Sequence, residues 1–220
     1  MDFSEQPHQT EIRDSLNKIL SEHCSQECLK QYDSGFKHDE DLFSLLSGNG
    51  YLGLGINEKY GGSGEDLYDL GILFERLGYH AAPLSLSGCL VDVAQTIQKF
   101  NIDSSCNKIL SSIIAGEIYT SAILEPSNQD PENPATSALI EGNELIISGT
   151  KYLSELASIA KNILVSVNSD EGVLLVLVKS DQVKLTELSS TANSPLFKVD
   201  LESVRVDRKS IIHEKGKGLE

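Results

Sequence analysis

Glycines that could cradle a phosphate are concentrated in residues 50–64, GYLGLGINEKYGGSG. A dinucleotide-binding loop requires the pattern G-x-G-x-x-G, and Gly53 and Gly55 supply its first two glycines, but Glu58 stands where the third is needed. A P-loop requires Lys and then Ser or Thr after its last glycine, and no later glycine of the stretch is followed by that pair. The stretch is therefore predicted to be a helix end followed by a tight turn, because glycine tolerates a positive φ.

Cysteine and histidine side chains are the second set that could do chemistry, because they bind zinc. Cys24 and Cys28 follow His23 directly, but no second pair of ligands follows at a useful spacing. Cys89 and Cys106 are too scattered to complete a disulfide scaffold. We therefore predict no metal site and a reducing compartment.

The composition bounds the class of protein. The chain has 220 residues, of which 40% are hydrophobic and 23% charged, and this suits two globular domains. The formal net charge of -15 repels polyanions, so no nucleic acid is predicted as a partner. The N-terminus is polar and acidic, and no apolar run of about 18 residues occurs, so neither a membrane span nor a signal peptide is predicted. We expect a cytoplasmic location.

Hydrophobic periodicity predicts helices throughout the first half of the chain. Leu67, Leu70, Phe74 and Leu77 recur at the spacing of an amphipathic helix, for example. The predicted helices cover residues 10–30, 38–48, 66–79, 84–100 and 104–115. We therefore predict an all-α domain over residues 1–118.

The hydrophobic period changes near residue 118, where short β-branched runs bounded by turn residues begin. The predicted strands cover residues 118–124, 137–140, 144–148, 163–167, 173–178, 183–188, 196–200 and 203–206. Glu141, Gly142 and Asn143 predict a tight hairpin between two of them. The second domain, residues 119–220, is predicted to be antiparallel β, either a small barrel or a sandwich. The fold class is thus α+β and multidomain.

Four segments, taken in order, carry a resemblance to a known family. They are GYLGLGINEKYGGSG at 50–64, FERLGY at 74–79, AGEIYTSAILEP at 115–126 and ISGTKYLS at 147–154. With this order and these gaps, the chain resembles the acyl-CoA dehydrogenase family across nearly its whole length. The resemblance implies a helical N-terminal domain, a middle β-barrel and a C-terminal helical domain. It also implies that the glycine-rich stretch is an ordered connection near the acyl chain.

The family's chemistry is the α,β-dehydrogenation of an acyl-CoA thioester. The resemblance implies FAD, bound between the barrel and the C-terminal helices, as the hydride acceptor. This chain ends at EKGKGLE, where the family's third domain begins. In the family that domain carries the glutamate that removes the α proton. We therefore expect no catalytic residue in this chain and little activity from it alone.

The resemblance assigns the first group of cofactor contacts to a loop after the first strand. The family has T-E-P-x-A-G-S-D there, running over the isoalloxazine ring and the pyrophosphate, and Glu125, Pro126 and Asp130 match it. Leu124 replaces the hydroxyl residue that would bond the flavin, and Gln129 stands where serine is expected in a loop one residue short.

A second group of contacts is implied by the family segment K-x-[WF]-I-[TS]-N. If the match is anchored on the final hydroxyl, with one residue deleted, Tyr152 stacks beside the flavin and Ser154 bonds it. The alternative is an ordinary strand with one aromatic residue. The implied cofactor-binding residues are Ile123, Leu124, Gln129, Asp130, Tyr152 and Ser154.

The resemblance also implies partners. They are an acyl-CoA substrate, an electron-transfer acceptor and other subunits in a homo- or hetero-oligomer. Two alternatives stay open on the same scaffold: a non-catalytic partner subunit, suggested by Leu124 and the short loop, and a flavin-dependent monooxygenase or acyl-CoA oxidase. Lys151 and the other strand lysines are interpreted as surface residues, and His213 and the other histidines as surface or capping residues.

Overall fold

The chain divides into two compact units, Met1–Leu84 with Ile114–Gly116, and Ser85–Ile113 with Glu117–Glu220. The computed structural model describes residues 5–32, 38–64, 67–100, 104–126, 128, 130–191 and 194–213. No helix in these ranges combines the length and the apolar character needed to cross a membrane. The predicted domain boundary at residue 118 stays a prediction, and the contacts group the helices within residues 85–113 with the sheet.

The first unit is helical, as predicted. Its helices are α1 (Pro7–His23), α2 (Gln26–Tyr32), α3 (Glu40–Gly48) and α4 (Leu67–Tyr79), with 3₁₀ turns at Tyr51–Gly53 and Glu58–Tyr60. The single helix predicted over residues 10–30 is in fact two. The second begins at a new cap, because the Ser25 hydroxyl accepts a hydrogen bond from the Cys28 N–H at 3.3 Å.

Helices α1 and α4 are joined by buried leucines and by polar contacts. The Gln9 side chain donates to Asp69 at 2.9 Å in a buried setting, and the Arg76 guanidinium donates to Asn17 at 3.2 Å. The apolar residues that these contacts flank are fully or nearly fully buried: Leu16, Leu20, Leu70, Leu73 and Leu77. The apolar stripes seen in the sequence therefore form the core of this unit.

The glycine-rich stretch forms a closed turn, which confirms the prediction from its glycines. It begins with Gly50 in the left-handed conformation, φ 81°. The N–H groups of Ser63 and Gly64 donate to the carbonyl groups of Gly53 and Ile56 at 3.1 and 3.0 Å. Because these N–H groups are already hydrogen-bonded inside the turn, they do not serve a phosphate.

Gly62 is required by close backbone approach within this turn. A Cβ atom at this position would lie 2.0 Å from the Ile56 carbonyl oxygen. We expect Gly62→Ala to lower the free energy of unfolding by about 1–3 kcal/mol, because backbone must move to admit the methyl group. Denaturant unfolding measures this change. Gly71→Ala in α4 is the control, since nothing lies within 4 Å of that Cβ position. We expect it to stabilise the helix by about 0.5–1 kcal/mol, and equal effects of the two substitutions would contradict the prediction.

The second unit begins with helical turns and continues as a sheet. The helical part comprises a π-helical segment (Gly88–Val93), α5 (Ala94–Phe100) and α6 (Ser104–Ile114). The strands are β1 (Tyr119–Ala122), β2 (Ser137–Glu141), β3 (Glu144–Glu155), β4 (Asn162–Ser169), β5 (Gly172–Lys179), β6 (Lys184–Leu188) and β7 (Leu196–Asp207). The predicted fold class, helices followed by a β unit, is confirmed, and β2 and β3 form the predicted hairpin.

The sheet is mixed, although antiparallel pairing was predicted throughout. Its order is β1-β4-β2-β3-β7-β6, with β5 pairing β4. Strands β1 and β2 both run parallel to β4; β1 pairs with its first half, and β2 pairs with it at Asn168, near its end. The two strands predicted at 196–200 and 203–206 form one strand with a register shift, at which Ser203 has φ 56°.

Candidate functional site

A cavity of about 190 Å³ lies among the π-helical segment, the end of β1 and the end of β3. Ile123, Leu124 and Tyr152, three of the six predicted cofactor contacts, line it. Leu153 and Glu155 line it as well, although the sequence did not single them out. The structure therefore brings the two predicted segments, which are far apart in sequence, to one place.

A β-bulge near the end of β3 decides which side chains face this cavity. Lys151 pairs with Val199 and Ser154 with Phe197, so three steps along β3 oppose two along β7. Leu153, inside the bulge, has φ 59°. Lys151 and Ser154 are consequently both buried although they are three positions apart. The usual alternation of faces is reversed after the bulge.

The bulge places Ser154 differently from the position that the family segment implies. Its side chain is buried, and its hydroxyl donates to the Ser121 carbonyl at 2.8 Å. Ser154 is not among the residues that line the cavity, whereas its neighbours Leu153 and Glu155 are. Its assignment as a flavin contact stays a prediction from the resemblance.

The bulge can be tested at Leu153, because its side chain is 46% exposed and contributes little to the core. A non-glycine residue in the left-handed region costs roughly 1–2 kcal/mol. We expect Leu153→Gly to leave stability unchanged or raised, and Leu153→Val, a β-branched residue, to lower it by about 1 kcal/mol or more. Thermal unfolding of the two variants checks this order, and a less stable glycine variant would show that the bulge is not present.

The other two predicted contacts lie apart from the cavity or outside the described residues. Asp130 is exposed, and its carboxylate accepts the Glu132 N–H at 3.0 Å, while its own N–H donates to the Asn128 side chain at 3.0 Å. It stabilises a turn in this arrangement. Gln129 falls outside the described residues.

The backbone at Leu124 is held in place from two sides. The Leu124 carbonyl accepts the Tyr152 N–H at 2.8 Å, and the preceding carbonyl, that of Ile123, accepts the Lys151 ammonium at 3.2 Å. The Leu124 side chain is nevertheless 51% exposed. With Leu153 it forms an apolar rim on a fixed backbone, a surface that a flat ring could cover.

Lys151 is the centre of a buried polar network that the sequence analysis missed. Its side chain is fully buried, which shows that its interpretation as a surface residue was wrong. Besides Ile123, its ammonium donates to Glu125 at 2.8 Å and to the Ser166 hydroxyl at 3.0 Å. The Glu125 carboxylate also accepts the N–H groups of Ala135 and Thr136 at 2.7 and 2.8 Å. The network therefore ties four separate parts of the unit together.

The network sets the charge states of its two ions. Burial by itself raises the pKa of Glu125, but the hydrogen bonds from Lys151 and from the Thr136 and Ala135 N–H groups outweigh it and bring the pKa down to about 2. Burial lowers the pKa of Lys151, and the charge and hydrogen bond of Glu125 partly oppose that shift. Glu125 is thus held as a carboxylate, and the ammonium of Lys151 is its counter-ion.

Two carboxylates lie on the cavity wall, each with a serine partner. The Ser121 hydroxyl donates to Asp92 at 2.5 Å, and the Ser87 hydroxyl donates to Glu155 at 2.7 Å. Loss of water around the Asp92 carboxylate, and then the nearby charge of Glu155, raise the pKa of Asp92. Much of the Asp92 residue is solvent-exposed, so solvent screens this interaction. None of the described residues lining the cavity is lysine or arginine, so a hydrogen-bond donor is favoured there over an anion.

His213 also departs from its predicted surface role. It is 2% exposed, its Nε2 atom accepts the Leu175 N–H at 2.6 Å, and its ring lies against Phe100. An acceptor nitrogen must be unprotonated, so this contact fixes the tautomer. His213 is a structural residue of the second unit and does not line the cavity.

Comparisons with known proteins place the chain in a family. The family described as acyl-CoA dehydrogenase, N-terminal domain, matches residues 6–117. The chain is 25% identical over 233 residues to the 3-(aryl)acrylate reductase of Clostridium sporogenes, covering 96% of this chain and 60% of that protein. It is 26% identical over 207 residues to the acyl-CoA dehydrogenase FadE28 of Mycobacterium tuberculosis, covering 94% of this chain and 54% of that one.

A solved structure shows the same fold. The ChsE4-ChsE5 complex from Mycobacterium tuberculosis matches with a TM-score of 0.86 at 23% identity, over 99% of this chain and 59% of that one. This chain therefore spans little more than half the length of the proteins that it resembles.

Proposed function

The chain belongs to the acyl-CoA dehydrogenase family, and on this premise we propose that it is the N-terminal and middle part of an FAD-dependent enzyme. The proposed reaction introduces a double bond between the α and β carbons of an acyl-CoA thioester. The observation that supports the proposal is that Ile123, Leu124 and Tyr152 line one cavity, because the resemblance to the family assigns these three residues to the cofactor.

The proposed cofactor fits the residues at the cavity rim. Leu124 and Leu153 present side chains that are 51% and 46% exposed, and a flavin ring would cover this apolar surface. The acceptor oxygens of Asp92 and Glu155 suit donor groups of a bound ligand. When bound, FAD supplies the hydride acceptor, and the protein positions and shields it.

Individual residues take separate roles in the proposal. Ile123, Leu124 and Tyr152 would contact the flavin ring and exclude water from it. For Asp130 and Ser154, the support is the family segment alone, since their polar groups already bond within the protein. We assign proton removal from the substrate to none of the described residues.

The proposed partners follow the same premise. They are an acyl-CoA substrate, an electron-transfer acceptor and further subunits, and the free state of the four cysteines suits the proposed cytoplasmic location.

The proposal is tested on the intact protein. It should purify with flavin absorbance or acquire it when FAD is added, and an acyl-CoA thioester should bleach that absorbance under anaerobic conditions with formation of the enoyl-CoA. A protein with no flavin absorbance even after addition of FAD would overturn the proposal. Flavin that is bound only beside an unlike subunit would instead make this chain a partner subunit.

A further inference from the structure

The segment that carries Leu124 is fixed by a side chain that does not itself reach the cavity. Ile123 and Glu125 flank Leu124, and both bond to the Lys151 ammonium, at 3.2 and 2.8 Å. The carbonyl of Leu124 itself bonds to the N–H of Tyr152, the residue after Lys151. Leu124 is thus held by its own backbone hydrogen bond and, through its two neighbours in the chain, by the Lys151 ammonium.

The other partners of Lys151 and Glu125 are themselves held by the structure around the sheet. Ser166 lies in the middle of β4, is 2% exposed and accepts the third bond of the ammonium at 3.0 Å. Glu125 is bonded to two successive backbone N–H groups, of Ala135 and Thr136, directly before β2. Because one anchor lies in β4 and the other leads directly into β2, movement of residues 123–125 requires at least one charged hydrogen bond to break.

Lys151 also directly precedes the bulge that contains Leu153. The register shift on β3 lies between Lys151 and Ser154, so Lys151 is the last residue of the regular ladder before the cavity. Its side chain is buried and bonds to the residues on both sides of Leu124. Its backbone leads through Tyr152 to Leu153, the other rim residue. Both halves of the apolar rim therefore take their positions from this residue.

We propose that Lys151, through its ion pair with Glu125, is a positioning residue that sets the rim formed by Leu124 and Leu153 against the flavin ring. This inference rests on the proposed function. Groups that orient the residues contacting a bound cofactor have large effects without touching it, because small displacements at the site cost binding and rate.

The test must separate positioning from stability, because loss of Lys151 alone leaves a buried carboxylate uncompensated. The double variant Lys151→Met with Glu125→Gln removes both charges and the bond to Ile123. The Ala135 and Thr136 N–H groups donate to different oxygens of Glu125, so the single amide oxygen of glutamine keeps one of these two bonds. In the intact protein, we expect this variant to melt well above Lys151→Met alone, because no buried charge is left unpaired. We expect its dissociation constant for FAD to rise by about tenfold or more, with a shifted visible absorption band of the bound flavin.

Lys161→Met is the matched control. Lys161 lies in the same unit, but its ammonium pairs with Glu117 at the surface and makes no contact with the rim. We expect FAD affinity and spectrum to be unchanged in this variant. A double variant that folds and binds FAD with the original affinity and spectrum would overturn the inference and leave the proposed function intact. If the original protein binds no FAD at all, the proposed function fails first, and the inference fails with it.

Discussion

Replacing Lys151 alone by methionine is expected to lower the free energy of unfolding by about 3–5 kcal/mol, because it leaves a buried carboxylate without its counter-ion. Methionine fills a similar volume, so the loss comes from the charge. Glu125 is 7% exposed and would keep its carboxylate in the core without the ammonium that bonds it at 2.8 Å. Denaturant unfolding of the intact protein and the variant measures the difference.

Two further variants give this prediction its controls. Adding Glu125→Gln to Lys151→Met should restore most of the lost stability, because a pair of neutral side chains leaves no uncompensated charge. Lys161→Met breaks an exposed ion pair, which solvent screens, and should change stability little. A Lys151→Met variant no less stable than Lys161→Met would show that the ion pair does not stabilise the fold.

Acid is expected to remove the contribution of Glu125 across a defined range of pH. Its pKa is about 2 in the folded protein, against an ordinary value of 4.5. A carboxylate whose pKa falls on folding stabilises the protein fully above the unfolded value, and that stabilisation is lost as the pH falls through the folded value. The window therefore runs from about 4.5 down to about 2. At about 1.4 kcal/mol for each unit of pKa, the loss amounts to about 3 kcal/mol.

Glu125→Gln provides the comparison, because glutamine does not titrate. The free energy of unfolding should fall more steeply with acid in the original protein than in this variant, and the two curves should differ most in slope between the folded and unfolded pKa values of Glu125. Parallel curves over that window would mean that Glu125 has an ordinary pKa and that its hydrogen bonds to Lys151, Ala135 and Thr136 are not formed.

Local patterns were enough to predict most elements of this protein, although residues 10–30 form two helices and residues 196–200 and 203–206 form one strand. The helix predicted over 38–48 is α3, and the hairpin at residues 141–143 joins β2 and β3, because apolar spacing and turn residues act over a few neighbouring positions. The glycines of 50–64 were correctly interpreted as a turn for the same reason. Even the burial of Lys151 carried a local signal, since it continues the inward alternation of Leu145 and Ile147 along β3.

The partner of that lysine had no such signal. Glu125 lies in a loop, 26 positions away, and its acceptance of the Lys151 ammonium depends on how β1, β2 and β4 are paired. The parallel pairing of β1 and β2 with β4 is a long-range choice that periodicity does not express. The sequence therefore does not indicate which polar side chains of the second unit bond to each other. The pairing of the strands decides that.

The sequence by itself determined most of the helices and strands, the turn at the glycines and two of the segments that line the cavity. Only the tertiary structure decided which side chains of the second segment face that cavity. A strand reverses its faces at every residue, so one extra residue opposite β7, with Leu153 at φ 59°, exchanges the faces of everything that follows. That single bulge turns Ser154 into the core and Glu155 toward the cavity, and its cause lies in the pairing of two strands more than 40 positions apart.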